Sequence, residues 1–254
     1  MQQIHIDSVP SELSLTLTQK RITLPPEAAQ KVGSHWQQLV KKNPHLHNGE
    51  VFTIVNRLQD AQRMAIELAI TDYAHHLYSR HVGGLGANQT SIIHPCAVIL
   101  TQDLKLIVGA MAEHTSSPGE ILCCGGGLDF ADVKDGMVLI DNTIAKELRE
   151  ELNIDCSNKQ AVSLTATFLI TDTAADRTTV AYIARLNQTS EAFAADYREF
   201  AKQLVDHGEL PEFKDLFYIP ATEDAVANFT RGHTLQLQNY VPLLLKAVVK
   251  QLKH

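Results

Sequence analysis

The sequence predicts a mixed α/β fold in which a small β-rich unit precedes a larger unit of strands and helices. The main evidence is two pairs of apolar, β-branched runs, each long enough for a buried strand. These pairs are residues 96–100 with 104–109 and residues 161–170 with 178–186. Helical periodicity marks three further segments, which are residues 141–154, 191–205 and 241–252. Apolar residues make up 44% of the 254-residue chain, which is enough for a substantial core.

Residues 1–89 are predicted to form the first domain, an α+β domain or extension. Four runs in it alternate or are rich in β-branched residues, as strands require. These runs are residues 4–6, 13–17, 51–55 and 64–70. A helix is expected to start at Pro25-Pro26 and to end at Asn43-Pro44, and a short second helix is expected at residues 73–78.

Residues 90–254 are predicted to form the second domain. Residues 101–103 have the length and chemistry of a hairpin loop between its first two strands. A short buried strand at 121–123 leads to Gly125, Gly126 and Gly127, where the backbone can approach a metal or a phosphate closely. Residues 172–177 should form the turn between the two long strands, and a strand at 216–219 should end at Pro220.

The helix at residues 141–154 has the clearest chemical pattern. Positions i, i+3 and i+4 share one face of a helix, so Glu147, Glu150 and Glu151 are predicted to face one point. A separate apolar stripe would press the helix onto the core, and it consists of Ile144, Leu148 and Leu152. The candidate N-caps are Asp141, Asn142 and Thr143, and Asn153 stands where a helix end favours a positive φ.

Three carboxylates on one helix face have two interpretations. Like charges at i and i+4 cost about 0.2–0.5 kcal/mol per pair, and a hard divalent cation such as Mg²⁺ would offset that cost. The alternative is a solvated acidic face on which Lys146 and Arg149 provide the counter-charges. The spacing alone leaves both open.

The surrounding residues resemble a known family motif. Residues 146–154, K-E-L-R-E-E-L-N-I, resemble the second half of the Nudix box, which reads Arg-Glu-aliphatic-x-Glu-Glu-x-Gly-aliphatic. Lys146 stands for the arginine, the three glutamates match, and Asn153 stands for the glycine. Residues 124–129, C-G-G-G-L-D, resemble the Pro-Gly-Gly loop that opens the box and end at Asp129.

The first half of the box departs from the family pattern. The segment between Gly127 and Lys146 is longer than in the family, and the place of a further glutamate falls on Val138. Because that glutamate mainly ties the loop to the helix, an aspartate of this segment is expected to replace it. The candidates are Asp129, Asp132 and Asp135. Lysine also cannot reproduce the planar, bidentate fork of the arginine, so Lys146 is expected to orient the glutamates less firmly.

A second resemblance lies in the first domain. The segments N-P-H-L-H-N-G-E-V-F, T-D-Y-A-H-H-L and G-G-L-G-A-N resemble, in this order, the N-terminal region of a Nudix branch that hydrolyses UDP-glucose and related nucleotide sugars. The alternative for Gly83, Gly84 and Gly86 is a flexible connector between the domains.

The Nudix resemblance implies an α/β/α sandwich with a mixed sheet and a Mg²⁺- or Mn²⁺-dependent hydrolase. Its substrate would be a nucleoside diphosphate derivative, such as UDP-glucose, whose diphosphate linkage is cleaved to two monophosphates. It implies catalytic roles for Lys146 and the three glutamates, metal binding by these glutamates with the Gly126 carbonyl, and substrate binding by the glycine loop with Asp129. The candidate general bases are Glu151, Glu209 and Glu212. The alternatives are a degenerate domain that binds a nucleotide metabolite as a non-catalytic sensor, and a scaffold that only keeps the fold.

The amino-acid composition limits the kinds of partner that the protein is expected to bind. A net charge of −7 disfavours a nucleic-acid interface, which needs a basic face. No run of apolar residues is long enough for a membrane span, and residues 1–10 lack the features of a signal peptide, so a cytoplasmic protein is expected. The oligomeric state stays open, with a homodimer among the options.

Cysteine, histidine and aromatic residues are assigned to packing rather than to chemistry. Cys96, Cys123, Cys124 and Cys156 lack zinc-site spacing and are expected to be reduced core residues. The histidine pairs have no ligand partner at a familiar spacing and are interpreted as surface or packing residues; they are His45, His47, His75 and His76. Five aromatic residues could stack a base but are better explained as core: Tyr73, Tyr78, Phe168, Tyr182 and Phe217.

Overall fold

The computed structural model describes residues 4–60, 62–174, 176–234 and 236–253. The strands are β1 (Ile4–Ser8), β2 (Glu12–Arg21), β3 (Glu50–Gln59), β4 (Arg63–Asp72), β5 (Ile92–Leu100), β6 (Lys105–Met111), β7 (Ile121–Leu122), β8 (Val133–Lys134), β9 (Met137–Val138), β10 (Val162–Asp172), β11 (Arg177–Leu186) and β12 (Phe213–Pro220). The helices are α1 (Pro26–Lys42), α2 (Tyr73–His81), α3 (Ile140–Leu152), α4 (Ser190–Asp206), α5 (Glu223–Gly232) and α6 (Val241–Gln251). Residues 1–3, from the segment considered for a signal peptide, and residue 175, from the predicted 172–177 turn, lie outside the described residues.

The larger sheet is mixed, as predicted. Its strand order is β1-β10-β11-β5-β6-β12, and β7 pairs with β6. β5 runs parallel to β11, whereas β10 with β11 and β5 with β6 are antiparallel. The two long strand pairs predicted from apolar runs therefore form the centre of this sheet.

Helices cover both faces of the larger sheet. Along β5, Cys96, Val98 and Leu100 belong to a core that includes α5 and α6. The alternating residues Ala97 and Ile99 belong to a second core that includes α3 and α4. Because side chains alternate across a strand, these two cores lie on opposite faces. This arrangement agrees with the predicted α/β/α sandwich.

The smaller sheet has the order β3-β4-β2-β9-β8. β2 runs parallel to β4, and β3 is antiparallel to β4. The β8–β9 hairpin comes from residues 133–138, yet it joins this sheet through Thr16 and Met137. In turn, β1 pairs with β10 of the larger sheet. The domain division after residue 89 stays a prediction, and strands of both predicted domains contribute to both sheets.

The C-terminal end of helix α3 was predicted correctly from the sequence, whereas its N-cap was not. Asn153 has a φ of 57° and ends the helix as expected. The predicted N-caps are wrong: Leu139 occupies the N-cap position and makes no side-chain capping bond. Asp141 accepts a hydrogen bond from the Tyr182 hydroxyl, and Thr143 is fully buried, so neither side chain caps the helix.

Helix α5 and the β8–β9 hairpin were not predicted from the sequence. The first is α5, whose start is marked by Thr222, a side chain that accepts a hydrogen bond from the Ala225 amide at 3.3 Å. Ala225, Val226 and Phe229 have helical spacing and pack on the core, so the periodicity of this helix was present in the sequence and was overlooked. The second is the β8–β9 hairpin, whose strands have two residues each. Among the described helices, none has the length and hydropathy of a membrane span.

Candidate active site

A cavity of about 710 Å³ lies where the two sheets meet. Val51 and Phe52 of β3 line one side, and Ile93 of β5 lies beside them. The rest of the lining includes helix α2, the segment before β7, the β10–β11 turn, the glycine loop at 125–127, helix α3 and the segment 236–240. Its volume is within the range of small-molecule sites, which is about 300–1,000 Å³.

Glu147 lines this cavity and lies against the glycine loop. Its side chain is 14% exposed, and a Cβ at Gly126 would overlap its carboxylate. Burial raises the pKa of Glu147 to about 7, against the lowering effect of Lys146, whose Nζ lies 3.7 Å away. The negative charges of Glu150 and Glu212 raise this pKa further. Glu147 is thus a desolvated carboxylate that would have to move if position 126 carried a side chain.

Glu151 lies deeper in the same cavity and is 4% exposed. Its Oε2 accepts a hydrogen bond from the Gly125 amide at 3.3 Å. Burial raises the pKa of Glu151 well above its ordinary value; the hydrogen bond with Cys124 lowers it, and the charges of Glu212 and Glu147 raise it. A buried carboxylate with acidic neighbours favours any added positive charge.

The structure brings together two of the three predicted glutamates. Glu150 is exposed and, in the described part of the chain, it is not among the residues that line the cavity. Glu212, which precedes β12, lines the cavity in its place, whereas Glu209 is exposed outside the lining. Within the described residues, no group of three or more His, Cys, Asp or Glu side chains is arranged to hold a metal ion.

The loop before α3 is fastened to the helix by Lys146. Its Nζ donates a hydrogen bond to Asp129 Oδ2 at 2.8 Å. Asp129 also starts a short 3₁₀ turn, and its amide donates to the buried Asp132 at 3.0 Å. Asp135 lies in the β8–β9 turn with a φ of 52°. The expectation that an aspartate ties this loop to the helix is therefore confirmed, with Asp129 as the residue.

Charged and amide side chains form a connected set in the cavity, which we call the polar network. It consists of Arg80, Ser117, Glu120, Gln238, Arg177 and Asp172. Arg80 Nη2 lies 3.3 Å from both Ser117 Oγ and Glu120 Oε2. Gln238 donates from Nε2 to Glu120 at 2.7 Å and accepts from Arg177 Nη1 at 3.3 Å. Arg177 Nη2 lies 3.6 Å from Asp172 Oδ2.

Two histidines in the cavity are held neutral. Burial lowers the pKa of His76 to about 4, and the charge of Arg80 lowers it further. Burial also lowers the pKa of His94 to about 3, with Arg177 as the next cause, and His94 Nε2 lies 2.9 Å from the Thr179 hydroxyl. At neutral pH neither imidazole adds positive charge to the cavity.

The remaining predicted groups have structural surroundings. His75 is buried between the Thr71 hydroxyl and the Asn88 carbonyl, each 2.7 Å from a ring nitrogen, and His45 and His47 are exposed. All four cysteines are free and buried, as expected. Among the described residues, Tyr73 is the one member of the five predicted aromatics that lines the cavity.

Comparisons with known proteins give matches to solved structures only. No protein-family model and no curated protein matches the chain. The chain is similar to the Nudix domain of Shewanella oneidensis NrtR complexed with ADP-ribose, with 14% identity over 69% of this chain and 97% of that one, at a TM-score of 0.38. It is similar to a MutT protein from Methanosarcina mazei, with 13% identity over 65% and 96% of the two chains, at a TM-score of 0.42. It is also similar to the protein DR0079 from Deinococcus radiodurans, with 14% identity over 61% and 82%, at a TM-score of 0.42.

Proposed function

We propose that this protein is a Nudix-type hydrolase that uses Mg²⁺ or Mn²⁺ to cleave the diphosphate linkage of a nucleoside diphosphate derivative. The substrate is a nucleotide sugar such as UDP-glucose, and the products are two monophosphates. One observation carries the proposal: Glu147 and Glu151, from the segment that resembles the second half of the Nudix box, are largely buried side chains in the same cavity as the glycine loop. The substrate class rests on the resemblance of the N-terminal segments.

The residues present fit a hard divalent cation. Carboxylate oxygens are the donors that Mg²⁺ prefers, and one or two carboxylates with waters and substrate phosphates are its usual protein environment. Glu147 and Glu151 would hold the cation together with the Gly126 carbonyl, and Glu150 would add negative charge from the exposed side of α3. The raised pKa values of both cavity glutamates support this assignment, because an added cation would offset the cost of burying their charge.

When bound, the cation would neutralise the charge of the diphosphate and lower the pKa of a water. Hydrolysis adds a water to one phosphorus and breaks the bond from that phosphorus to the bridging oxygen. The bridging oxygen leaves on the second phosphate, and the proton released from the water passes to a carboxylate. Glu151 and Glu212 are the candidates for this base, and Glu212 is favoured over Glu209 because it lines the cavity.

The rest of the chain provides position rather than chemistry. The Gly125 amide donates to Glu151, and the space around the Gly127 Cβ position is open, so the loop leaves room for a phosphate to approach the backbone there. Lys146 and Asp129 keep this loop at a fixed distance from α3. The polar network and Tyr73 line the part of the cavity available to the organic groups of the substrate.

The test is release of phosphomonoesters from a panel of UDP-, ADP- and GDP-sugars with Mg²⁺. Glu151→Gln should abolish turnover, because it removes a negative ligand and base candidate while keeping the side-chain volume. Glu209→Gln is the matched control and should keep full activity, since Glu209 is exposed outside the cavity. Absence of turnover on every substrate by the unmodified protein would refute the proposal.

A sensor is the second candidate function. The altered first half of the box and the lysine at position 146 support it, because both depart from the family motif. A sensor would bind a nucleotide sugar tightly in calorimetry and release no phosphomonoester with either Mg²⁺ or Mn²⁺.

A further inference from the structure

The polar network has no net charge, which limits the group that it can recognise. Arg80 is paired with Glu120 at 3.3 Å, and Arg177 with Asp172 at 3.6 Å. His76 and His94 border this set and add no charge at neutral pH, because burial and the two arginines lower the pKa of both. A phosphate carries negative charge and would need uncompensated cations, as phosphate sites in proteins provide.

The network alternates hydrogen-bond donors and acceptors. Guanidinium groups only donate and carboxylates only accept, whereas Gln238 does both within the network. In the described contacts, Arg80 uses Nη2 alone, which leaves the donors on Nε and Nη1 for another partner. The Arg80 and Glu120 side chains are 31% and 41% exposed, so the network is accessible.

A sugar matches this lining better than a phosphate or a base. Each hydroxyl group donates and accepts at once, so a hydroxyl-rich group can satisfy neighbouring carboxylates and guanidinium groups together. A nucleobase would need a flat apolar slot. Leu237 and Tyr240 adjoin Gln238 but are only 9% and 2% exposed, and the Arg177 guanidinium covers the Tyr240 ring at 5.5 Å, so they leave no such slot beside the network. The absence of net charge and the mixture of donors and acceptors in the polar network therefore both favour a neutral, hydroxyl-bearing group.

We infer that the polar network is the subsite for the neutral, hydroxyl-bearing sugar of the substrate, and that Glu120 and Gln238 determine specificity there. The inference rests on the proposed function, because it assigns one end of a nucleotide sugar whose diphosphate lies at Glu147 and Glu151. Glu120 selects against a negatively charged sugar, since its carboxylate would repel another one.

The test is calorimetric binding of UDP-glucose, UDP-glucuronate and UDP to the full chain in EDTA. Gln238→Leu should weaken UDP-glucose about 10- to 100-fold, the loss expected when partners of buried polar groups disappear, and leave UDP within about twofold. Gln203→Leu is the matched control, because Gln203 is exposed on α4 and bonds only within its own helix in the described contacts. Its affinities should equal those of the unmodified protein.

Glu120→Gln gives a signature that a purely structural role cannot produce. It keeps the side-chain volume but leaves the network with a positive charge, so UDP-glucuronate should gain at least about tenfold over UDP-glucose relative to the unmodified protein. Equal weakening of UDP and UDP-glucose by Gln238→Leu, or unchanged selectivity in Glu120→Gln, would overturn the subsite even if the enzyme turns over. Binding with the expected selectivity but no turnover would support the subsite and refute the hydrolase. No binding of any of the three ligands, either in EDTA or with Mg²⁺, would overturn both proposals.

Discussion

Replacing Glu147 by glutamine should stabilise the metal-free fold, and by an amount that grows with pH. The carboxylate is 14% exposed and lies against the backbone of Gly126, with Lys146 as its nearest cation at 3.7 Å. Burial outweighs that lysine, so the pKa of Glu147 rises from its ordinary 4.5 to about 7. The charged form is therefore less stable in the fold than in the unfolded chain.

The size and sign of the effect follow from this pKa. Between 4.5 and 7 the folded state keeps a proton that the unfolded state has released, so the free energy of unfolding falls as the pH rises through this window. At pH 8 the charge of Glu147 should cost about 3 kcal/mol, and at pH 5 less than about 1 kcal/mol. Glutamine is neutral at every pH and mimics the protonated acid, so the gain in Glu147→Gln should be about 3 kcal/mol at pH 8.

The assay is urea unfolding at pH 5 and pH 8 in EDTA, with the variant compared with the unmodified protein at each pH. The control is Glu209→Gln, whose exposed side chain should give the same difference at both values. Mg²⁺ should then raise the stability of the unmodified protein at pH 8 and have less effect on Glu147→Gln. A stability gain that is equal at the two pH values would refute the assigned burial of this charge.

Three further predictions concern the loop and the cavity. Gly126→Ala should lower turnover at least about tenfold, because the added methyl group overlaps the Glu147 carboxylate. Gly127→Ala is the control: the space around its Cβ is open, so its turnover in the same phosphate-release assay should stay within about threefold of the unmodified protein. The pKa of His94 near 3 means that the folded protein excludes a proton which the unfolded imidazole binds below about pH 6.5. His94 should therefore lower the free energy of unfolding by about 2 kcal/mol between pH 7 and pH 5, and His94→Gln should remove this loss. Urea unfolding at both pH values would measure it, and the same pH dependence in the variant and the unmodified protein would contradict it. Asp129→Asn breaks the ion pair with Lys146, so it should raise the rate of proteolysis within residues 128–136. The secondary structure measured by circular dichroism should not change. An unchanged rate of cleavage would show that this contact does not hold the loop.

Local patterns predicted most strands and helices because their signals lie within each element. The apolar, β-branched runs of β5 and β11, the prolines that begin α1 and the asparagine that ends α3 all act over a few residues. The β8–β9 hairpin was missed for the opposite reason. Its two-residue strands are fixed by pairing with Thr16 of β2, a contact between segments more than a hundred residues apart.

The same distinction applies to the candidate site. Glu147 and Glu151 could be predicted because one helix fixes their spacing. Glu212 was a candidate base from the resemblance, but the sequence could not separate it from Glu209, because only the fold shows which of the two lines the cavity. The polar network could not be predicted, because its members come from distant segments and carry no common spacing. Arg80 on α2 and Gln238 before α6 both meet Glu120, and isolated arginines and glutamates in a sequence are ordinary surface residues.

The outward position of Glu150 follows from helix geometry and explains why two of the three glutamates on this face of α3 reach the cavity. At about 100° per residue, Glu151 lies about 40° from Glu147 on the side of the apolar stripe, next to Ile144, which lies about 60° from Glu147. Glu150 lies about 60° from Glu147 on the other side, farther from the stripe. Exposure follows this order: Glu151 is 4% exposed, the Glu147 side chain is 14% exposed, and Glu150 is exposed to solvent. Because the stripe must pack on the sheet, α3 cannot rotate to bring Glu150 inward, and a third carboxylate in the cavity has to come from another segment, as Glu212 does.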